Sequence, residues 1–82
     1  MGWDNYVYEF EFDGSKMDEY KRGLISGIMY MITGQPDKTF IWVRGHEGKY
    51  WYKSIQCTGV QMIDIMTAID KVFGRDMITY VS

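Results

Sequence analysis

The chain has 82 residues, a net charge of −2 and one cysteine, which together suit one domain with a single two-layer core. The acidic balance excludes a broad electrostatic footprint for nucleic-acid phosphates. The lone Cys57 excludes an internal disulfide and a thiolate zinc cage.

The first strand spans residues 5–12, where Tyr6, Tyr8, Phe10 and Phe12 alternate with Val7, Glu9 and Glu11. This is the period-2 pattern of a half-buried strand. Asp13-Gly14 ends it, and Ser15 follows as the expected N-cap of a first helix, with Asp18 three residues on. From Met17 the period turns helical: Met17, Tyr20, Leu24, Ile28, Met31 and Ile32 form one stripe, and Gly34 terminates it. Gly23 and Gly27 lie on one side of this helix, where close packing against a neighbour is the expected compensation for their poor helix propensity.

Residues 39–44 and 49–55 form the next two strands, joined by the short loop Gly45-His46-Glu47-Gly48. A second helix opens at Thr58, with Gln61 completing a capping box, and closes at Gly74. Met62, Ile63, Met66, Ile69 and Phe73 make its apolar stripe, widened by Ile65 and Val72. Residues 77–81 form a short last strand.

Two interlocked strand–helix–strand units predict a four-stranded antiparallel sheet with both helices on one face. In element order the chain resembles the ferredoxin-like βαββαβ fold across nearly its whole length. That resemblance implies a spatial strand order of 4-1-3-2 and leaves one sheet face open, but it names no activity. Acylphosphatases share the order, yet the Gly-rich, Arg-bearing loop that follows their first strand is missing, because residues 13–16 read Asp-Gly-Ser-Lys. The Cys-x-x-Cys of metal-carrying domains and the several cysteines of true ferredoxins are missing too.

The open face is the expected site. Alternation sends Val7, Glu9 and Glu11 outward on the first strand. Placing Arg44 outside takes Phe40 and Trp42 with it and turns Ile41 and Val43 inward. Pairing the hairpin around its loop then sets Arg44 opposite Lys49, Trp42 opposite Trp51, and Phe40 opposite Lys53, with Tyr50 and Tyr52 inward. The expected contact surface is an aromatic cluster of Phe40, Trp42 and Trp51, beside Glu9 and Glu11 facing Lys49 and Lys53. With seven Tyr, four Phe and three Trp, the chain carries more aromatic surface than so small a core can hide, and exposed aromatic surface marks contact sites.

No constellation points to catalysis, a metal or a cofactor. His46 and Glu47 lie in a turn with no second His, Cys57 reads as a small buried hydrophobe, and Asp64 and Asp70 form no carboxylate pair. The expectation is therefore a protein-binding domain that is accessory, regulatory or inhibitory, with a homodimer as the first candidate complex. In that dimer the aromatic patch is buried and Glu9/Glu11 meet Lys49/Lys53 of the second copy. Small viral or phage accessory proteins share this size and composition. The alternative is a single-stranded nucleic-acid or small-ligand binder using the same face, although Glu9 and Glu11 would repel phosphates. The N-terminal residues lack a basic region followed by an apolar run, and the apolar stretch around 24–32 is too short to span a bilayer, so no membrane partner and a cytoplasmic location are expected.

Overall fold

A computed structural model describes residues 4–36 and 41–82. The elements run β1 (Asn5–Asp13), α1 (Glu19–Thr33), β2 (Trp42–Gly45), β3 (Tyr50–Thr58), α2 (Gly59–Phe73) and β4 (Ile78–Val81). The sheet is four-stranded and antiparallel in the order β2-β3-β1-β4. This is the ferredoxin-like βαββαβ arrangement, with the expected 4-1-3-2 order. Its core lies between the sheet and the two helices and is formed by Phe10, Phe12, Ile25, Met29, Ile55, Ile65, Ile69 and Met77, with Cys57 among them.

Helix ends follow local chemistry. The Thr58 hydroxyl accepts from the Gln61 amide at 3.1 Å while the Gln61 side chain accepts from the Thr58 amide at 3.0 Å, closing the capping box at the start of α2. Gly34 ends α1 in the left-handed region, at φ 72°, and its amide donates to the Tyr30 carbonyl. Gly74 ends α2. The start of α1 differs from expectation. Ser15 is not its N-cap, because Asp13 captures both the amide and the hydroxyl of Ser15 and holds Gly14–Lys16 as a separate 3-10 turn. Met17 is then extended, and Asp18 caps α1 through the Lys21 amide at 2.8 Å.

The buried stripe of α1 is correspondingly rotated. Ile25 and Met29 face the core, flanked by Ile28 and Ile32, whereas Tyr20, Leu24 and Met31 face outward. On α2, Ile65 and Ile69 are buried, with Met62, Met66 and Phe73 beside them, and Ile63 and Val72 are exposed. Among the described residues nothing lies against Gly23 or Gly27, for a Cβ added at either would meet none of their atoms within 4 Å.

The hairpin carries the main correction. Gly45 pairs with Tyr50, Arg44 with Trp51, Val43 with Tyr52 and Trp42 with Lys53, one residue further along each strand than expected. His46 and Glu47 both adopt positive φ, so the turn closes over residues 46–49. The faces are also reversed. Trp42 packs on Phe12 under the helices, with ring centroids 5.3 Å apart, and its indole N–H donates to the Ser26 hydroxyl of α1 at 2.9 Å. Trp51 lies beneath the Arg22 guanidinium, 4.1 Å from its ring centroid. Lys53 is only 2% exposed, and its ammonium lies 5.6 Å from the Trp42 centroid. The physical reason is area. Two indoles bury more apolar surface than Val43 and leave the tyrosines, whose hydroxyls want water, on the wet side. The ring faces in turn offer the two cations electrostatic partners, and the lysine stem packs as an aliphatic chain.

Candidate binding face on the open side of the sheet

Reversing the hairpin gives the open face a different set of residues. On β1 it carries Val7, Glu9 and Glu11, as the alternation predicts, and Val7 is exposed. On β3 it carries Tyr50 and Tyr52, then Ser54 and Gln56; on β2 it carries Val43, opposite Tyr52. On β4 it carries Tyr80, opposite Glu11. A bulge in β4 inserts Thr79 beside the same carboxylate, and the Thr79 hydroxyl donates to Glu11 Oε1 at 2.7 Å. His46 completes the row, its ring edge-on to Tyr50 at 5.6 Å and tilted to Tyr52 at 6.3 Å, while Tyr50 and Tyr52 lie 6.4 Å apart.

The face is acidic. Glu11 stands between Tyr52 and Tyr80 with Glu9 next along the strand beside Ser54, and at one end Asp13, Glu47 and Lys49 border an open hollow of about 620 Å³ together with His46, Tyr50 and Thr79. Four cations are engaged away from Glu9 and Glu11: Lys16 lies 3.6 Å from Asp76, Lys21 donates to the Lys16 carbonyl, and Arg22 and Lys53 lie over the indoles. Two side chains register the setting. Partial burial, followed by the hydrogen bond and charge of Glu11, then Glu9 and Tyr50, raises the Tyr52 phenol above its ordinary value. The hydroxyl and amide of Ser15 hold the Asp13 carboxyl below the usual carboxylate value, against a small opposing effect of burial and with help from Lys16.

Of the residues expected at the site, Glu9 and Glu11 lie on the open face, and Trp42, Trp51 and Lys53 lie beneath the helices instead. Arg44 shares the Trp42 side of its strand but is exposed, its guanidinium against Gly48 in the hairpin loop. Lys49 is exposed in the turn, its carbonyl accepting from the Gly14 amide at 2.9 Å. Phe40 lies outside the described residues. The four-membered arrangement of Glu9/Glu11 against Lys49/Lys53 does not form: Glu9 pairs with Ser54 and Glu11 with Tyr52, while Lys53 points to the other side of the sheet.

The residues that the sequence reading missed, Tyr50, Tyr52 and Tyr80, carry a legible signal. Extended to Thr58, β3 alternates Tyr-Tyr-Ser-Gln against Trp-Lys-Ile-Cys, and the apolar Ile55 and Cys57 phase Trp51 and Lys53 inward with them. A strand ended at Ile55 hides that phase, and Lys53 argues falsely for the open side. Among the described residues no group of three or more His, Cys, Asp or Glu is arranged to hold a metal ion, and no helix is long and apolar enough to cross a membrane. Comparison with family models, with curated proteins and with solved structures yields no match for this chain.

Proposed function

We propose that this chain is a small protein-binding module, accessory, regulatory or inhibitory to its partner, that docks through the open face of its sheet. The observation that carries this reading is the row Tyr50, Tyr52 and Tyr80 set around Glu9 and Glu11 on the side free of helices. Tyrosine supplies rigid, amphipathic contact area at low conformational cost, which is why it is enriched at recognition surfaces. The carboxylates between the rings select the partner. An arginine that stacks on a tyrosine face can reach Glu9 or Glu11 in the same pose, so the face fits a protein surface that presents arginine beside apolar residues. The same charges disfavour single strands of nucleic acid, for which the tyrosine row alone would make a stacking platform. They also oppose sheet-to-sheet pairing of two copies, which would bring like charges together.

Selection from a displayed random peptide library tests the reading. The expected winners combine arginine with aromatic or aliphatic residues and bind more weakly as salt rises. Tyr52→Ala and the double variant Glu9→Lys/Glu11→Lys are each expected to weaken them at least about tenfold, roughly 1.4 kcal/mol. Winners indifferent to both variants would refute the proposal. So would tight binding of a fluorescent oligothymidylate at low salt that is lost in Tyr52→Ala, which would assign the face to single strands.

A further inference from the structure

The outward side of α1 breaks the rule that a surface helix turns charge toward water. From Gly23 to Gly34 the helix has no charged residue at all. Its core side is satisfied by Ile25 and Met29, yet the opposite side presents Tyr20, 74% exposed, and Met31, 85% exposed, with Leu24 and Tyr30 beside them at 39% and 52%. We infer that this face of α1 is where a second copy of the chain packs, so that the protein is a two-fold dimer joined helix to helix.

Three observations favour a second copy over another occupant. The first is area. At roughly 200 Å² for a large residue, those exposed fractions leave about 500 Å² of surface per copy, apolar apart from the backbone and two phenol hydroxyls. A symmetric contact would remove about 1,000 Å² before any flanking residue is counted, the size at which a specific interface begins. The second is charge. The chain is acidic and its open sheet face more so, but α1 carries no charge from Gly23 on and balanced charges beside Tyr20, Asp18 and Glu19 against Lys21 and Arg22, which makes it the surface on which two copies meet without net repulsion. The third is shape. A two-fold contact needs one surface that fits itself. Here the projecting Tyr20 and Met31 share the helix with the low ground over Gly23 and Gly27, where none of the described residues occupies the space that a Cβ would fill. In an antiparallel crossing, the projections of each helix enter the hollows of the other.

The arrangement has a consequence for the sheet. Because both helices cover the same side, pairing through α1 turns the two open faces away from each other. The dimer would offer two tyrosine-and-glutamate faces, and a partner that repeats its own surface would bind with avidity.

Sedimentation velocity across the micromolar range tests the inference separately from the function of the sheet face. The wild type should shift from the 9.7 kDa of one chain toward twice that mass as concentration rises. Met31→Glu and Tyr20→Lys, both at exposed positions, should each raise the dimer dissociation constant at least tenfold while far-UV circular dichroism and the thermal transition stay intact. Tyr52→Ala should remain dimeric. A wild type that stays monomeric to high micromolar concentration would overturn the inference. So would a dimer that survives both α1 variants, or one that dissociates with Tyr52→Ala and not with them. The peptide selection reads only the sheet face, so either idea can fail without the other.

Discussion

A methyl group added at Gly14 would collide with the Gly48 carbonyl oxygen and crowd the Lys49 backbone, since the Gly14 amide donates to Lys49 there at 2.9 Å. At Gly23 the same methyl would meet no atom of the described residues. The two alanine substitutions should therefore move stability in opposite directions. Gly14→Ala should cost about 1–3 kcal/mol by forced displacement of backbone, and Gly23→Ala should gain about 0.5–1 kcal/mol from helix propensity. Urea unfolding in dilute solution reads both. Tyr52 gives a second test at this scale. Its phenol is raised by burial and then by Glu11, so below the ordinary tyrosine value, about pH 10, it is protonated in both states and its stabilising effect is complete. As pH climbs through that value toward the higher folded one, the unfolded chain releases the proton first and stability falls. Tyr52→Phe should flatten this decline in thermal melts above about pH 10.

At the scale of elements, the ends of α2 were legible because a cap is a contact between residues three apart. Thr58 and Gln61 need no tertiary partner to find each other. Thr58→Ala should cost about 1 kcal/mol of stability by chemical denaturation, as the loss of a good N-cap does. The start of α1 was less legible because two caps compete. Ser15 and Asp18 are both good ones, and the choice fell to Asp18 once Asp13 had taken the Ser15 amide. That three-residue delay and the rotated stripe go together. With Ile25 and Met29 as the buried pair, Tyr20, Leu24 and Met31 are left outside, which is how α1 comes to carry an apolar face that its own sheet does not use.

For the whole molecule, the decisive event is the turning of the hairpin. Near the turn, β2 and β3 carry large side chains on both sides, Trp42 and Trp51 against Val43, Tyr50 and Tyr52, so alternation there assigns no inside, and only the far end of β3, at Ile55 and Cys57, carries the phase. Packing volume decides near the turn. Trp42 fills the space over Phe12 and ties its indole N–H to Ser26, linking the edge strand to α1. Trp42→Ala should thus cost about 3 kcal/mol, the scale of a lost core aromatic, whereas an indole on the open face would cost far less. Guanidinium denaturation distinguishes the two. Because the indoles are spent on the core, the open face falls to tyrosines and glutamates, and its chemistry changes from aromatic and mixed in charge to aromatic and acidic.

The order of elements, the termini of α2 and the C-cap of α1 were determined by the sequence alone, and the 4-1-3-2 sheet followed from the resemblance of that order to the ferredoxin-like fold. Each rests on periodicity, on contacts a few residues apart, or on the handedness of strand–helix–strand crossovers. Ile55 and Cys57 already phase Trp51 and Lys53 in the sequence, whereas the register of the hairpin and the face that Trp42 occupies, and hence the makeup of the open surface, were decided only in the tertiary structure. There two indoles and their cationic partners compete with valine and tyrosine for one limited volume beneath the helices, and the larger apolar area wins it.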